Sequence, residues 1–225
     1  MKAILYVFLF VTSFIFSQNY ELNRLHRAPL NRISSVEYDE ENDMLYYGGG
    51  FFQVGPQVSY GAEFDLNSFT FNVGNMPTPN GRVFCAIPDD AGGWIIAGEF
   101  DMVGEEVRNR IARINADGSI HPMTTSIDGN GYVLAMESYN GKVVLAGEFT
   151  SVNNTPVSSL VEIDIETGEL TEWYPNVLYV IEAIDIQNDT LYIGGAIMEI
   201  DGNERVSVAA FDLSTKQLTP WTAHE

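Results

Sequence analysis

Glu99 and Glu148 are the residues whose type and spacing come nearest to a chemical site: each follows an Ala-Gly pair at the end of an apolar run, 49 residues apart. Two carboxylates delivered by equivalent elements can share a divalent cation or hydrogen-bond a sugar, and a polysaccharide hydrolase or lyase would use such a pair. The plainer reading is two solvated charges where a strand ends, because the chain has 31 acidic residues to draw on. Trp173 and Trp221 offer flat aromatic surface on which a carbohydrate can stack, or which can pack against a neighbouring sheet. Asp128 with Asn130, and Asp201 with Asn203, lie in loops with the oxygen-rich composition of calcium sites, so calcium is the candidate ion. Neither loop completes the EF-hand spacing, and tight turns use the same residues. His26, His121 and His224 are scattered singly and make no zinc set. No Ser-His-Asp order, Cys-His pair or phosphate loop has supporting context.

The elements that must position these groups are set by a repeat. Trp94 to Phe100 reads Trp-Ile-Ile-Ala-Gly-Glu-Phe, and similar runs end at Gly49, Gly147 and Gly195, giving steps of 49, 49 and 48 residues. Each unit has an apolar first strand, a turn rich in Asp, Asn and Gly, and a second strand ending on the glycine. A third strand follows with a small and then a bulky residue at alternate positions: Ala62/Phe64, Ala112/Ile114, Val161/Ile163 and Ala209/Phe211. The intervening Ile111, Leu160 and Val208 are also apolar, so both faces of this strand are expected to be buried. Asp65, Asn115, Asp164 and Asp212 come next in every unit, which marks a structural role: the short side chain caps the following turn. The fourth strand is expected at 69–71, 119–121, 170–173 and 218–221, with Pro122, Pro175 and Pro220 suiting an outer edge.

Four short antiparallel strands in about 48 residues, repeated, read as an all-β fold of four-stranded blades: a β-propeller or propeller segment with four blades. Solenoids compete, but use shorter repeats. In the propeller reading the glycines let neighbouring sheets approach near the axis. The repeats run about 33–81, 82–131, 132–178 and 179–225, after a polar lead-in at 18–32.

Met1-Lys2 followed by the uncharged run from Ala3 to Phe16 has the form of a secretory signal over residues 1–17. It is short for a membrane span, and cleavage near Ser17-Gln18 would leave none; an uncleaved anchor is the alternative. Export to the periplasm, cell surface or medium is therefore expected. Cys85 is the only cysteine, so no internal disulfide forms, and its apolar surroundings suit a small core residue. A formal charge of -20 excludes nucleic acid and disfavours an anionic membrane surface. Asn153-Asn154-Thr155 and Asn188-Asp189-Thr190 have glycan-acceptor spacing.

The stretch from Arg108 to Ile120, Arg-Asn-Arg-Ile-Ala-Arg-Ile-Asn-Ala-Asp-Gly-Ser-Ile, with Ala97-Gly98-Glu99-Phe100 before it, resembles the delta-60 repeat family of secreted bacterial proteins. The units from Ala146 to Asp164 and from Gly194 to Leu213 look similar, and the first unit departs by carrying Gly61 where the others have a bulky residue. The resemblance spans roughly 33–221 and implies propeller-like repeats and an extracellular setting; it carries no catalytic motif. Likeness to kelch propellers (Phe64-Asp65, Met76-Pro77) and to quinone-dependent dehydrogenase propellers (Asp164, Thr167, Gly168, Trp173) is more distant and supports no cofactor. The expected function is a binding or structural scaffold for a protein or carbohydrate ligand, with a polysaccharide hydrolase or lyase as the alternative. Two alternatives stand: four blades close a ring with residues 18–32 completing it, or the chain is the first part of a longer propeller. The second is slightly favoured because four blades stand at the lower limit of known rings; an open arc would expose an apolar blade face and self-associate.

Overall fold

The computed structural model describes residues 33–39, 44–49, 60–65, 67–68, 70–71 and 76–222. The leader, the lead-in, His26, His224 and Gly50 lie outside the described residues. Every described element is a strand, and four antiparallel sheets follow one another along the chain. The first holds β1 (Ile33–Asp39), β2 (Met44–Gly49), β3 (Gly61–Asp65) and β4 (Thr70–Phe71) in that spatial order. The second runs β5 (Arg82–Pro88) and β6 (Trp94–Glu99), then the small hairpin β7 (Met102–Val103) and β8 (Glu106–Val107), then β9 (Ile111–Ile114). The third repeats this with β10 (Tyr132–Tyr139), β11 (Lys142–Glu148), hairpin β12 (Ser151–Val152) and β13 (Thr155–Pro156), and β14 (Leu160–Asp164). In the fourth, β15 (Val177–Gln187) and β16 (Thr190–Ile200) are long enough to absorb the hairpin, and β17 (Asn203–Glu204), β18 (Val208–Asp212) and β19 (Gln217–Leu218) complete it.

Local chemistry sets the hairpins. Asn140 and Gly141 have φ of 48° and 73°, and Asn188 and Asp189 have 49° and 61°, the left-handed pairs that a two-residue turn between twisted strands requires. The small hairpins were not legible as strands in the sequence, because two residues on each side give no periodicity. The first two are tied back to the segment before the inner strand of their sheet, through Pro79 with Val103 and Ile127 with Val152, and the fourth sheet makes the same tie within its long inner strand, through Val177 with Ile200.

Alternation along the second strand shows how the sheets stack. Trp94 and Ile96 pack with Tyr46 of the first sheet, whereas Ile95 and Ala97 pack with Val143, Leu145, Val161 and Ile163 of the third. Val144, Ala146 and Leu160 then turn the other way, onto Leu191, Ile193, Ala209 and Phe211 of the fourth. Each middle sheet is thus covered on both faces, which explains why β9 and β14 are buried at nearly every position. Fully burying each such aliphatic contributes about 1.5–3 kcal/mol, so these interleaved faces dominate stability.

Two sequence expectations are corrected. The fourth strand is not a regular strand in the middle sheets: only single bridges join Ile114 to Ile120 and Ile163 to Leu170, and the outer sheets have two-residue strands. The ladder breaks because Glu162 pairs with both Thr171 and Trp173, and the Thr171 hydroxyl accepts the Trp173 N–H at 3.2 Å. The repeat glycines Gly98, Gly147 and Gly195 do not relieve contact between sheets. A Cβ there would meet the carbonyl oxygens of Arg82, Tyr132 and Val180 at 2.0, 2.2 and 2.5 Å, all on the partner strand of the same sheet. Those oxygens are pushed forward by a bulge recurring in β5, β10 and β15. Gly48 does fit the expectation, since its Cβ would lie 2.4 Å from Val83 of the next sheet. Gly61 has its own cause: a Cβ would sit 2.1 Å from the hydroxyl oxygen of buried Tyr46.

Candidate functional site

Glu99 and Glu148 end β6 and β11 at the same edge of adjacent sheets, and both are exposed. Each is paired across its sheet with the first residue of the inner strand, Glu99 with Arg82 and Glu148 with Tyr132. The Arg82 guanidinium lies 3.7 Å from the Glu99 carboxylate, and the Tyr132 hydroxyl donates to Glu148 Oε2 at 3.0 Å. Tyr132 has its phenol pKa raised by that hydrogen bond and by the charge of Glu148, with a smaller part from Glu99. The field of both carboxylates therefore reaches one hydroxyl. The Tyr132 ring meets Phe84 edge-on at 5.6 Å. Beside it, an open polar cleft of about 260 Å³ is lined by Asn80, Glu99, Phe100, Asp101 and Arg110. Arg110 is held by donating to the Gly129 carbonyl at 2.9 Å. This end thus brings together three carboxylates, two guanidinium groups and a phenol suited to hydrogen-bonding a polar ligand, with an aromatic edge beside them.

The remaining residues singled out in the sequence go elsewhere. Trp173 stacks edge-on against Phe211 of the fourth sheet at 5.3 Å, donates its indole N–H to the Lys216 carbonyl at 3.2 Å, and lies 4.8 Å beneath the Lys216 ammonium. Trp221 is exposed and meets Tyr192 of its own sheet at 5.4 Å. The Asp128 carboxylate accepts from the Ser151 hydroxyl at 2.6 Å, the Asn154 N–H at 2.7 Å and the Ser126 hydroxyl at 3.3 Å, capping the β12–β13 hairpin, while Asn130 is exposed beyond it. Asp201 accepts the Asn176 N–H at 2.9 Å, and Asn203 donates to the Ile200 carbonyl at 3.2 Å within the same turn. Among the described residues no group of three or more His, Cys, Asp or Glu side chains converges as a metal cluster would. Asn153, the acceptor position of one glycan motif, uses both ends of its amide, accepting the Ser126 N–H at 2.8 Å and donating to the Gly168 carbonyl at 3.1 Å. Asp65, Asp164 and Asp212 cap their turns through paired N–H groups, and these hydrogen bonds hold their carboxyls below the usual range. Asn115 donates to Ser119 instead, and Asp117 takes over as the acceptor in that turn.

Sequence reasoning missed two charged groups. Between the alternating apolar pairs of the third strand lie Arg113 in β9 and Glu162 in β14, at equivalent register positions and both buried. Arg113 donates to Asp89 at 2.9 Å within its sheet, and to Glu166 at 2.8 Å and the Ile165 carbonyl at 3.0 Å in the next sheet. Burial opposes the guanidinium charge, and the bonds to Asp89 and Glu166 outweigh it, raising the Arg113 pKa. Glu162 is held by Lys142 at 3.0 Å and by Lys216 of the next sheet, which also reaches the Tyr139 hydroxyl. A charge inside an otherwise apolar strand was the available signal.

A second group missed in the sequence lines the inner strands. Glu37, Glu137 and Asp185 share one register position in β1, β10 and β15. Glu137 is pushed up to about 7 by burial first, and then by the charges of Glu37 and Asp185. Burial also raises Glu37 and, with the Glu37 charge, the Cys85 thiol. A carboxyl with a folded-state pKa above its unfolded value contributes stability that is full below the unfolded value and lost as pH rises through the folded one. Stability is therefore expected to fall as pH rises from 4.5 to about 7, by about 2 kcal/mol once the full shift is discounted for solvent screening of this half-buried group. Denaturant midpoints across that range should show the loss, and Glu137→Gln should flatten it.

Comparison with known proteins matches two segments, residues 92–121 and 140–164, to the family described as "Domain of unknown function (DUF5122) beta-propeller". The segments are the same structural unit taken from the second and third sheets, each spanning second strand to third. Among solved structures, the computationally designed protein Ika4 aligns at a TM-score of 0.55 and 10% identity, covering 83% of this chain and 94% of that one. A second alignment, at a TM-score of 0.49 and 13% identity, covers 83% of this chain and 22% of a chain described as the extracellular domain of a hybrid two component system from B. thetaiotaomicron. No curated protein matches the sequence.

Proposed function

We propose, for a chain whose fold is an all-β propeller type, that it is an exported binding scaffold built from four blades of delta-60 type. The blades form an arc, and its contact surface is the edge carrying Glu99, Glu148, Tyr132, Arg82 and Arg110. One observation carries the reading: this edge gathers side chains that the repeats do not share, Ala196 standing at the fourth-sheet equivalent of Glu99 and Glu148, on strands fixed by buried sheets on either side. Rigid sheets with variable edges are how β scaffolds build ligand contacts. The mixture of carboxylate, guanidinium and aromatic edge suits a polyhydroxylated or peptide ligand. Export is supported by the charged start and short apolar run of residues 1–16. The hydrogen-bonded oxygens of Asp128 and Asp201 support turns rather than calcium loops.

The test is binding of the purified chain to an array of polysaccharide fragments and surface peptides, alongside Glu99→Gln, Glu148→Gln and the double variant. Saturable binding weakened about tenfold or more by the double variant, with unchanged thermal unfolding, is the expected result. Binding indifferent to both substitutions would remove this edge from the function. The second reading, a polysaccharide hydrolase or lyase, is favoured by Tyr132, whose hydroxyl bonds Glu148 and lies within reach of the Glu99 charge. It predicts chain cleavage that the same variants abolish.

A further inference from the structure

We infer that Tyr179 is the aromatic platform of the candidate edge, on which a sugar ring stacks, and that the ligand is a neutral polysaccharide. The inference rests on the proposed contact edge and adds to it the ligand class and a further contact residue.

Tyr179 occupies a repeat position that the second and third sheets give to glycine. It directly precedes Val180, paired with Ala196, as Gly81 precedes Arg82, paired with Glu99, and Gly131 precedes Tyr132, paired with Glu148. At those two glycines a Cβ would lie 1.9 Å from the Glu99 carbonyl oxygen and 2.7 Å from the Phe149 Cβ, so a side chain is excluded. The fourth sheet makes room by a bulge: Leu178 opposes Glu199 and Tyr179 opposes Ile197, leaving Met198 as the extra residue. Tyr179 still keeps a left-handed backbone, with φ of 80°, which a bulky aromatic rarely adopts and which carries a steric cost.

Packing does not offset that cost. Tyr179 is 56% exposed and lies outside the apolar cluster between the third and fourth sheets. Among the described residues its ring meets no other ring and its hydroxyl bonds no neighbour. The backbone is what is held. The Ser159 hydroxyl of the third sheet donates to the Tyr179 carbonyl, and the Ser158 hydroxyl beside it donates to the Val177 carbonyl at 2.6 Å. Ser159 also donates its N–H to the carbonyl of Phe149, next to Glu148, at 3.1 Å. Two hydrogen bonds thus tie the strained residue to the end of the strand that carries Glu148. Strain kept in place by its neighbours while the side chain stays free marks a contact residue rather than a packing one.

The chemistry of the edge selects the ligand. A phenol ring offers a flat apolar face with a polar tip, matching the C–H face and the hydroxyls of a sugar, and carboxylates beside it accept from further hydroxyls. Packed sheets lie about 10 Å apart, so Glu99, Glu148 and Tyr179, on three successive sheets, are spaced for a chain of sugars rather than one ring. A formal charge of -20 disfavours a polyanionic glycan. A peptide is the poorer match, because these groups stand at strand ends, whereas extended peptides are held by main-chain bonds along an open strand edge.

Calorimetric titration of the purified chain with neutral gluco-, manno-, galacto- and xylo-oligosaccharides, and with their parent monosaccharides, tests the inference. One oligosaccharide series is expected to bind saturably, and its monosaccharide at least about tenfold more weakly. Tyr179→Gly should weaken the oligosaccharide at least about tenfold, yet raise the thermal midpoint by about 2–4 °C as the backbone strain is released. Tyr179→Phe, which keeps the ring, should leave both close to the parent chain. Failure of every oligosaccharide to bind, binding indifferent to Tyr179→Gly, or a lower midpoint in that variant would each overturn the inference. Peptide binding lost in the Glu99→Gln, Glu148→Gln double variant but indifferent to Tyr179→Gly would also overturn it while leaving the proposed scaffold intact. Oligosaccharide binding lost with Tyr179→Gly but indifferent to the double variant would uphold the platform and remove the two glutamates from the edge, so the two readings fail separately.

Discussion

Replacing Arg113 by Ala is expected to lower the free energy of unfolding by about 3–5 kcal/mol, the range seen when one partner of a buried ion pair is removed. The loss comes less from the missing attraction than from what stays behind. Asp89 keeps a buried carboxylate whose Oδ1 is satisfied by the Gly93 and Ala91 N–H groups at 2.6 and 3.0 Å, but whose Oδ2 loses the Arg113 donor, its partner among the described residues. The Ile165 carbonyl of the next sheet loses a donor too, so the effect is felt across the joint between second and third sheets. Urea unfolding followed by tryptophan fluorescence measures the change. The double substitution Arg113→Met with Asp89→Asn should recover more than half of it, because neither buried charge is then left alone. If Arg113→Ala alone cost less than about 1 kcal/mol, the pair would be a surface-like contact and its burial would be wrong.

Gly147→Ala is expected to destabilise by about 3 kcal/mol, at the upper end of the overpacking range. Its Cβ would sit 2.2 Å from the Tyr132 carbonyl oxygen and 2.9 Å from the Leu134 nitrogen, all backbone, so no side-chain rotation relieves the clash. Room can be made only by straightening the bulge between Val133 and Ala135, which would shift the register that sets Tyr132 opposite Glu148. The substitution should therefore also disturb the candidate edge. Gly194→Ala is the control, since a Cβ there would make only ordinary van der Waals contact, 3.9 Å from the Ser207 carbonyl oxygen, and it should change stability by less than about 0.5 kcal/mol. Thermal unfolding of the two variants side by side makes the comparison.

Much of the architecture was legible because it is periodic. The glycine spacing located β2, β6, β11 and β16, and alternation in β3, β9, β14 and β18 identified the strand buried on both faces. The same reasoning gave the glycines the wrong neighbour. Spacing alone cannot tell a crowding atom in the next sheet from one in the partner strand, and the bulge is a hydrogen-bonding event that leaves no compositional mark. The small hairpins escaped for a similar reason: Asn153 and Asn154, or Asp201 and Gly202, announce a turn, but two-residue strands have no period to read. At the candidate site, the shared position of Glu99 and Glu148 was visible in the repeat, whereas Tyr132 and Arg82 enter only through cross-strand register. Arg113 and Glu162 were not legible because a charge between alternating apolar residues has the pattern of a solvent-facing strand position. Their opposite charges at one repeat position give successive joints different partners, so adjacent blades are not interchangeable in spite of a common plan.

Sheets that turn about a common axis bring inner strands from non-adjacent sheets to face one another. Carbon-13 NMR titration of the Glu137 carboxyl tests this most directly, because Glu37 and Asp185 belong to the first and fourth sheets and Glu137 to the third. Glu137 is expected to titrate near 7, with its pKa dropping in both Glu37→Gln and Asp185→Asn. A Glu137 pKa unmoved by Glu37→Gln would contradict it, because sheets laid in a row keep the first too far from the third for its charge to be felt.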